Sequence, residues 1–572
     1  MEKKWHIKTH GDTGDIEKLS AAINVNPHVA KLLVQRGIKT YEEAKAFFRP
    51  SLQDLHDPFL MKDMNKAIDR ITTAITKNER ILIYGDYDVD GTTSVALLYS
   101  FFREFYTNLG YYIPDRYSEG YGISFQGIDY AKENNYSLII ALDCGIKAVE
   151  EVKYASRKKI DFIVCDHHLP ADTIPDAAAI LDPKQPGCDY PYKELSGCGV
   201  GFKLMEGYAR INDVPFENLI PYLDLVAVST ASDIVPITGE NRILVYHGLK
   251  QLNNNPRTGL RSIMHSAGLD NKKVTVEDIV FRVGPRINAA GRMKSGSKAV
   301  DLLIAEDSKD AGLISGEINN FNLERREEDQ KITKEALSMI SEDPMQVNRK
   351  STVVYNEEWH KGVIGIVASR LIETYYRPTI VLTESNGFLT GSARSVQGFD
   401  LYQALESCSD LLETFGGHMY AAGLTLKKEN FEAFSSRFEE IVDARITREQ
   451  MIPSIDIDDE LDLDEITDKF ADILNQMEPF GPGNMPPVFV TRNVRDAGAG
   501  KVVGNNAGHL KLDLIQDGKT THPFPAIAFN QSHRYELIRE GKFFDICYTI
   551  TENEFRGTKT LQLNIKDIKV SQ

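Results

Sequence analysis

IDFIVCDHHLP, residues 160–170, runs from an apolar segment (Phe162, Ile163, Val164, Cys165) straight into Asp166, His167 and His168. The bland reading is a strand that ends in a polar loop. The sharper one is a strand whose end carries metal ligands. Nothing within these residues decides between the two; the segments around them do.

Similar apolar runs occur at RILIYG (80–85), YSLIIAL (136–142) and AAAIL (177–181), separated by segments that read as helices. Apolar strands alternating with helices imply a parallel sheet covered on both faces. In such sheets functional groups collect beyond the carboxyl ends of the strands. RILIYG leads into Asp86-Tyr87-Asp88-Val89-Asp90-Gly91, and YSLIIAL leads into Asp143-Cys144-Gly145. A further carboxylate, Asp233, closes the apolar helical segment of VAVSTASDIVPITGENR. Taken alone, DxDxDG reads equally well as an Asx-rich turn or helix cap. A calcium hand does not fit, because no acidic residue stands at the twelfth loop position. Successive strands of one sheet that all end on Asp are another matter, since their carboxylates converge and repel, and bound cations relieve that. Oxygen-rich ligands with an imidazole favour Mg²⁺ or Mn²⁺ over zinc. Two such ions make hydroxide from water and stabilise an in-line displacement at phosphorus.

The chain has 572 residues, too many for one ordinary core, and implies roughly three to four domains. Hydrophobic content of 42% and charged content of 26% belong to a soluble globular class. No apolar run is long enough to span a bilayer and the N-terminal stretch is not a secretory signal, so a cytoplasmic protein without membrane contact is expected. The six cysteines form no CxxC pair and suggest no disulfide framework. A net charge of -17 argues against a general polyanion binder, although a locally basic cleft and bound metals escape that sum.

Residues 16–79 read as helical. The charged stretch 309–342 reads as one or two helices bridging domains. A second α/β unit begins at 351 with STVVY, GVIGIVASRLIETYY and TIVLT. Beyond about residue 450 short strand-like runs (FVTRNVRDAG, HLKLDLI, FPAIAF, FFDICYTI, LQLNIKDIKV) imply a small β-barrel.

DYDVDG, LDCG, CDHH and ASD, in that order, resemble the four motifs of the DHH phosphoesterase superfamily, and within it the RecJ family of bacterial exonucleases. FRVGPRINAAGRM (281–293), HKGVIGIVASRL (360–371), GSARS (391–395), FGGHMYAAG (415–423) and PFGPGNMPP (479–487) are similar to further signatures of that family. Cys198, in SGCGVGFKL, stands where the family more often has a small aliphatic residue. The resemblance implies an α/β fold: a parallel-sheet DHH domain (80–308), a smaller α/β DHHA1 domain (346–450) and a C-terminal OB-like β-barrel (451–572). A helical segment (1–79) would pack on the DHH domain, and a connecting helix (309–345) would join the two α/β units. It also implies metal ligation by Asp88, Asp90, Asp143, His167 and Asp233, with two Mn²⁺ or Mg²⁺ ions as cofactors. Asp86 is left out of that set. His168 would face the scissile phosphate or support the site, and Asp166 would orient the neighbouring imidazole; these two are the catalytic candidates. Arg286, Asn288, Ser392, Arg394, Gly416, Gly417 and His418 match substrate-binding positions.

The activity so implied is metal-dependent removal of 5′-mononucleotides from the 5′ end of single-stranded DNA, in repair and recombination. The partners would be the DNA strand, with a helicase and a single-strand-binding protein, and the enzyme itself a monomer. Two alternatives stand beside it. One is a DHH-type phosphoesterase of short oligoribonucleotides or small nucleotides, which would lack the barrel. The other is an inert DNA-binding scaffold, which would have lost the aspartates.

Overall fold

The computed structural model describes residues 2–9, 11–504, 506–520, 522–539, 541–555 and 558–570. Its first α/β unit is built on strands β1 (Arg80–Gly85), β2 (Leu109–Tyr112), β3 (Tyr136–Leu142), β4 (Asp161–Cys165) and β5 (Ala179–Leu181). They lie in the order β2-β1-β3-β4-β5 and every pairing is parallel. Alternate side chains of each apolar run go to opposite faces. Ile81, Ile83, Leu138, Ile140 and Ile163 enter the large core on one side. Leu82, Tyr84, Ile139, Ala141 and Phe162 enter a smaller core on the other. That two-sided burial is why the runs are apolar without a break. Strand β2, LGYY, is half-buried at the sheet edge and carries no such run, so the sequence pattern did not mark it.

The strand order reverses at β1, with β2 on one side and β3 on the other, and this opens a crevice beyond their carboxyl ends. Around it stand helices α1 (Val89–Arg103), α2 (Gly197–Ile211), α3 (Leu223–Ser232) and α4 (Gly284–Met293).

The charged stretch is one unbroken helix, α5 (Ser308–Glu342), 35 residues long. Its Ala311 and Ile318 belong to the first unit's core. Its Ile332, Ala336 and Ile340 pack with Val354, Trp359, Val363 and Leu371 of the second unit. The same rod therefore holds both units. The second unit has a five-stranded mixed sheet whose first pair, Thr352–Tyr355 and Thr379–Ser385, is parallel. Helix α6 (Ile364–Thr374) lies between those strands in sequence.

The C-terminal unit is a seven-stranded sheet. Strand Phe489–Asp496 pairs with both Phe544–Phe555 and His509–Gln516, which closes the sheet into a barrel.

Packing corrects one expectation, that residues 1–79 lie on the DHH unit. Met61, Met64, Ala67, Ile68 and Ile71 do so. Leu19, Val29, Ala30, Leu32, Leu33 and Ala44 instead share a core with Leu461, Phe470, Phe489 and Phe544 of the barrel. The apolar face of Pro27–Gln35 meets the barrel, and polar contacts hold its rim: His28 Nδ1 lies 2.6 Å from Asp459 Oδ2, and Lys31 also pairs with Asp459. Strand Lys4–Ile7 adds in parallel to Ser454–Ile457. Among the described residues all six cysteines are free and buried, and no helix is long and apolar enough to cross a membrane.

Candidate active site

The crevice is lined by carboxylates held in different ways. Asp86 follows β1 and is fully buried. Asp88 caps α1, its Oδ1 accepting from Gly91 N at 3.0 Å, so the helix-cap reading of this aspartate is also true. Asp90, in the first turn of α1, accepts from Gly197 N (2.7 Å) and Cys198 N (2.8 Å) at the start of α2, and from Ser229 Oγ (2.6 Å) of α3. The approach of α2 is close: a Cβ on Gly197 would stand 2.5 Å from Asp143 Cβ. Asp143 follows β3 in the left-handed region (φ 57°), its N–H donating to Cys165 O at 2.9 Å. Asp233 ends α3.

These elements converge on His167, which follows β4. Its Nε2 lies 3.2 Å from Asp143 Oδ1, 3.6 Å from Asp233 Oδ2 and 3.7 Å from Asp90 Oδ2. Neither ring nitrogen of His167 has a hydrogen bond, and the buried Oδ2 atoms of Asp143, Asp233 and Asp86 have none. Burial, followed by the charges of Asp90 and Asp88, pushes the Asp143 and Asp233 carboxyls well above the usual carboxylate range. Burial and then Asp90 raise Asp88, and burial lowers His167. Unpartnered buried oxygens, mutual repulsion and a neutral imidazole are what a divalent cation would satisfy, so the donor set fits Mn²⁺ or Mg²⁺. Ligand atoms of Asp90, His167 and Asp233 lie within 4.8 Å of one another, as do those of Asp143, His167 and His168. Of the five ligand candidates, four thus gather at one point, with Asp88 beside them on the α1 cap.

Asp166 holds the other imidazole. Its Oδ1 lies 2.7 Å from His168 Nδ1, and its carboxylate accepts from the N–H groups of His167 (2.8 Å) and Ile146 (2.9 Å). Burial opposes ionisation of Asp166, but the His168 hydrogen bond and charge together with the Ile146 N–H bring its pKa down to about 2. Burial likewise opposes a charge on His168, and Asp166 outweighs it and raises the pKa. The far nitrogen, Nε2, is 3.3 Å from the Tyr121 hydroxyl. Sequence reasoning missed Tyr121, although Gly120 and Gly122 on either side, both at positive φ, mark a turn there.

Helix α4 roofs the crevice. A Cβ on Gly284 would meet Ser232 Oγ at 2.8 Å, and one on Gly291 would meet Tyr87 O at 2.7 Å. Asn288 lies between them on the same helical face. Arg286 donates to Asn319 Oδ1 (3.1 Å), Arg282 O (2.7 Å) and Ser266 O (3.3 Å), which ties α4 to α5. Arg292 was not singled out from the sequence. Its Nη1 donates to Gly362 O at 3.0 Å, and burial followed by the like charges of Arg116, Arg325 and Arg394 lowers its pKa to about 10. Arg116 lies 5.0 Å over the Tyr87 ring, and burial with Arg116 nearby lowers Lys361. Arg116 and Lys361 carry no signal of their own, and Arg292, although inside FRVGPRINAAGRM, has nothing in its local spacing that marks its contact with Gly362.

Across the cleft, a Cβ on Gly365 of α6 would meet Ser392 Oγ (2.9 Å) and Arg394 Nη2 (3.1 Å). The glycine thus lets a serine and an arginine sit against the first turn of a helix, an arrangement suited to phosphate. Ser392 is opposite Gly423 and Gly423 opposite Gly416; Arg394 is opposite Ala421 and Ala421 opposite His418. Ser392 with Gly416, and Arg394 with His418, therefore form two rows across one sheet, and Gly417 lies between the rows at the sheet edge. Among the barrel aromatics, Phe489 and Tyr548 are core, and Phe529 is exposed.

Known proteins share this architecture. Residues 80–230 match the DHH family N-terminal domain, residues 348–444 the DHHA1 domain and residues 457–567 the RecJ OB domain. The single-stranded-DNA-specific exonuclease RecJ of Bacillus subtilis (strain 168) is 39% identical over 571 residues, covering 100% of this chain and 71% of the relative. That of Escherichia coli (strain K12) is 32% identical, covering 95% of this chain and 96% of the relative. A crystal structure of RecJ in complex with Mn²⁺ from Thermus thermophilus superposes with a TM-score of 0.83 at 26% identity, covering 100% of this chain and 80% of that one. Its counterpart in complex with Mg²⁺ gives 0.78 at 25% identity, covering 100% and 79%. Full-length identity, the three domain matches in sequence order and the metal-bound neighbours agree: this chain belongs to the RecJ family.

Proposed function

We propose that the chain is a metal-dependent exonuclease that degrades single-stranded DNA from its 5′ end to 5′-mononucleotides. The observation that carries this is the pairing of an unsatisfied carboxylate–imidazole cluster, centred on His167, with the cations Arg116, Arg292 and Arg394 across one cleft. The relatives named above as single-stranded-DNA-specific exonucleases support the same reading.

Asp88, Asp90, Asp143, His167 and Asp233 would hold Mn²⁺ or Mg²⁺, with room in the donor set for two ions. Bound there, the metal supplies a hydroxide-generating Lewis acid at a phosphodiester. The chain's own groups do the rest. Arg394, Ser392, the first turn of α6 and the Gly416–His418 edge would bind the terminal 5′-phosphate, which sets polarity. Arg116 and Arg292 would neutralise the next phosphates on the way to the cluster. His168, whose protonated form Asp166 favours, would donate from Nε2 to a phosphoryl oxygen, with Tyr121 beside it. Asn288, facing the cluster from α4, would orient the nucleotide. The overall acidic charge would oppose DNA elsewhere on the surface, so binding would be confined to this cleft. In the cell a helicase and a single-strand-binding protein would supply the strand, in the cytoplasm.

The test offers one labelled oligodeoxynucleotide as a free single strand, as a duplex and with a blocked 5′ end, each with Mn²⁺ or EDTA. Mononucleotides released only from the free-ended single strand with metal support the proposal. Binding without cleavage in every metal would favour the inert scaffold, and hydrolysis of a dinucleotide offered in parallel, with the oligodeoxynucleotide left intact, would favour the small-substrate phosphoesterase.

A further inference from the structure

The PFGPGN segment of the barrel unit is far in sequence from the metal cluster, yet it packs on the turn that follows Asp233. Ile237 N donates to Pro482 O at 2.7 Å. A Cβ on Gly481 would stand 2.4 Å from Ile237 Cδ1, and one on Gly483 would stand 2.7 Å from Thr238 Cγ2. Gly483 has φ +77°, so no other residue takes this place without strain. The loop is itself fixed on both sides. Arg242 donates to Glu478 O (3.0 Å) and Pro479 O (3.2 Å); Asn484 Nδ2 donates to Met477 O and Pro479 O, both at 2.9 Å. Arg36 of the N-terminal helices donates from Nε to Asn484 Oδ1 (2.9 Å) and from Nη2 to Met485 O (2.9 Å).

The turn it clasps is under strain. Ile234, next to Asp233, adopts φ +62°, a genuine outlier for a β-branched residue, and its side chain is exposed. Such a conformation is unfavourable and persists only when its surroundings impose it. On one side Gly284 of α4 closes on Ser232; on the other, the clasp fixes Ile237 and Thr238. Tyr192 and Asn241 hold Pro236 O between them, at 3.1 and 2.9 Å.

We infer that the 478–485 loop is a positioning element for Asp233: the barrel unit completes the metal centre of the DHH unit by holding the strained turn closed. Gly481, Gly483 and Ile237 act through Asp233 and touch no substrate. The inference rests on the metal reading of Asp233, and the experiment separates the two.

Mn²⁺ is titrated calorimetrically into the full-length protein and its Gly483→Ala, Thr238→Ser, Gly483→Ala/Thr238→Ser and Asp233→Asn variants, with thermal melts as a check of folding. Gly483→Ala weakens Mn²⁺ binding about tenfold or more, the range for partners that orient a ligand. Thr238→Ser removes the clashing Cγ2 and keeps the hydroxyl; alone it leaves affinity unchanged, and in the double variant it restores the part of the loss that the Cγ2 clash causes, the backbone strain of Ala at φ +77° remaining. The Mn²⁺ needed for half-maximal DNA hydrolysis rises in parallel, while kcat at saturating Mn²⁺ is kept. A folded Gly483→Ala protein with wild-type affinity, or a loss of which Thr238→Ser recovers no part, overturns the inference. If Gly483→Ala does not fold, Arg36→Gln loosens the same loop from its outer end; a smaller weakening supports the clasp, and unchanged affinity overturns it. If Asp233→Asn itself binds Mn²⁺ normally, the metal reading of Asp233 has failed and the clasp with it.

Discussion

Asp166 Oδ1 sits 2.7 Å from His168 Nδ1, whereas neither ring nitrogen of the adjacent His167 has a hydrogen bond. Two neighbouring imidazoles are thereby given opposite chemistry. Burial lowers the pKa of His167 and suits it to ligation as a neutral ring. Asp166 overcomes burial to raise that of His168 and suits it to donation from Nε2. A donor at Nε2 requires the protonated ring, because Nδ1–H is already committed to the carboxylate.

Asp166→Asn is therefore expected to separate rate from metal binding. It removes the charge that keeps His168 protonated, so the alkaline limb of the pH–rate profile moves to lower pH. The maximal rate falls by about a hundredfold or more, the scale of a lost acid–base group. Calorimetric Mn²⁺ affinity stays near wild type. Single-turnover rates across pH at saturating Mn²⁺ read both effects, and an unshifted profile would remove His168 from the acid role.

The crowded carboxylates carry a second prediction. Asp143 is buried and its pKa is raised by that burial and then by Asp90. A folded pKa above the unfolded one means that the unfolded chain binds fewer protons, so the metal-free protein loses stability as pH rises from the ordinary carboxylate range toward the raised value. Melting of the EDTA-treated protein should accordingly improve on mild acidification, and melting of the Mn²⁺-saturated protein should worsen, because protons compete with metal. Asp143→Asn keeps the left-handed backbone at φ 57°, which Asn tolerates. It should stabilise the EDTA form, by removing a buried charge that burial and Asp90 disfavour, and abolish the Mn²⁺-induced rise in Tm. Destabilisation of the EDTA form would show that the carboxylates do not repel as described.

The parallel sheet was legible because strands buried on both faces must be apolar throughout, and Asp143 was legible as a candidate ligand because it directly follows such a run; Asp88 and Asp90 cap and enter the next helix and Asp233 ends one, so only the family resemblance marked them. Edge strand β2 escaped because half-burial demands no pattern. Arg116 escaped because its place over Tyr87 is a three-dimensional proximity that no local spacing encodes, and Arg292, inside the signature that supplied Arg286 and Asn288, because nothing local marks its contact with Gly362. The docking of Pro27–Gln35 on the barrel escaped for the same reason: its periodicity states that one face is buried but not against what. Asp88 was legible under two readings, cap and ligand, and the structure supplies the cap.

Arg394 gives a prediction about the substrate end. Its guanidinium lies against the first turn of α6 with Nη1 donating to Ser392 Oγ at 3.1 Å, and burial alone lowers its pKa, with no carboxylate to offset it. A hydrogen bond to a charged group contributes about 1.5–3 kcal/mol, or roughly 10- to 100-fold. Arg394→Ala should slow hydrolysis of 5′-phosphorylated single strands by about that factor and erase their advantage over 5′-hydroxyl strands, while Mn²⁺ affinity is unchanged. Arg394→Lys should recover part of the preference, since it keeps the charge and loses the fork. Equal losses on both kinds of 5′ end would place Arg394 on an internal phosphate instead.

The seam between the N-terminal helices and the barrel should be sensitive to alkaline pH through His28. Its Nδ1 is 2.6 Å from Asp459 Oδ2 and its Nε2 is 3.2 Å from Glu465 Oε1. The Asp459 hydrogen bond, against burial and aided by the charges of Asp459 and Glu465, raises the His28 pKa. A folded value above the unfolded one contributes stability that is fully present below the ordinary histidine pKa of about 6.5 and is lost as pH rises through the raised value. The contribution at stake is about 1 kcal/mol, since the ring is partly screened by solvent. Amide hydrogen exchange in residues 13–48, corrected for its intrinsic pH dependence, should speed up on going from about pH 6 to about pH 9 relative to the parallel-sheet core. His28→Gln should flatten that difference by weakening the seam already at the lower pH, and without altering Mn²⁺ affinity. Protection of 13–48 that does not change with pH in the wild type would mean that Lys31 and the apolar face hold the seam without help from His28.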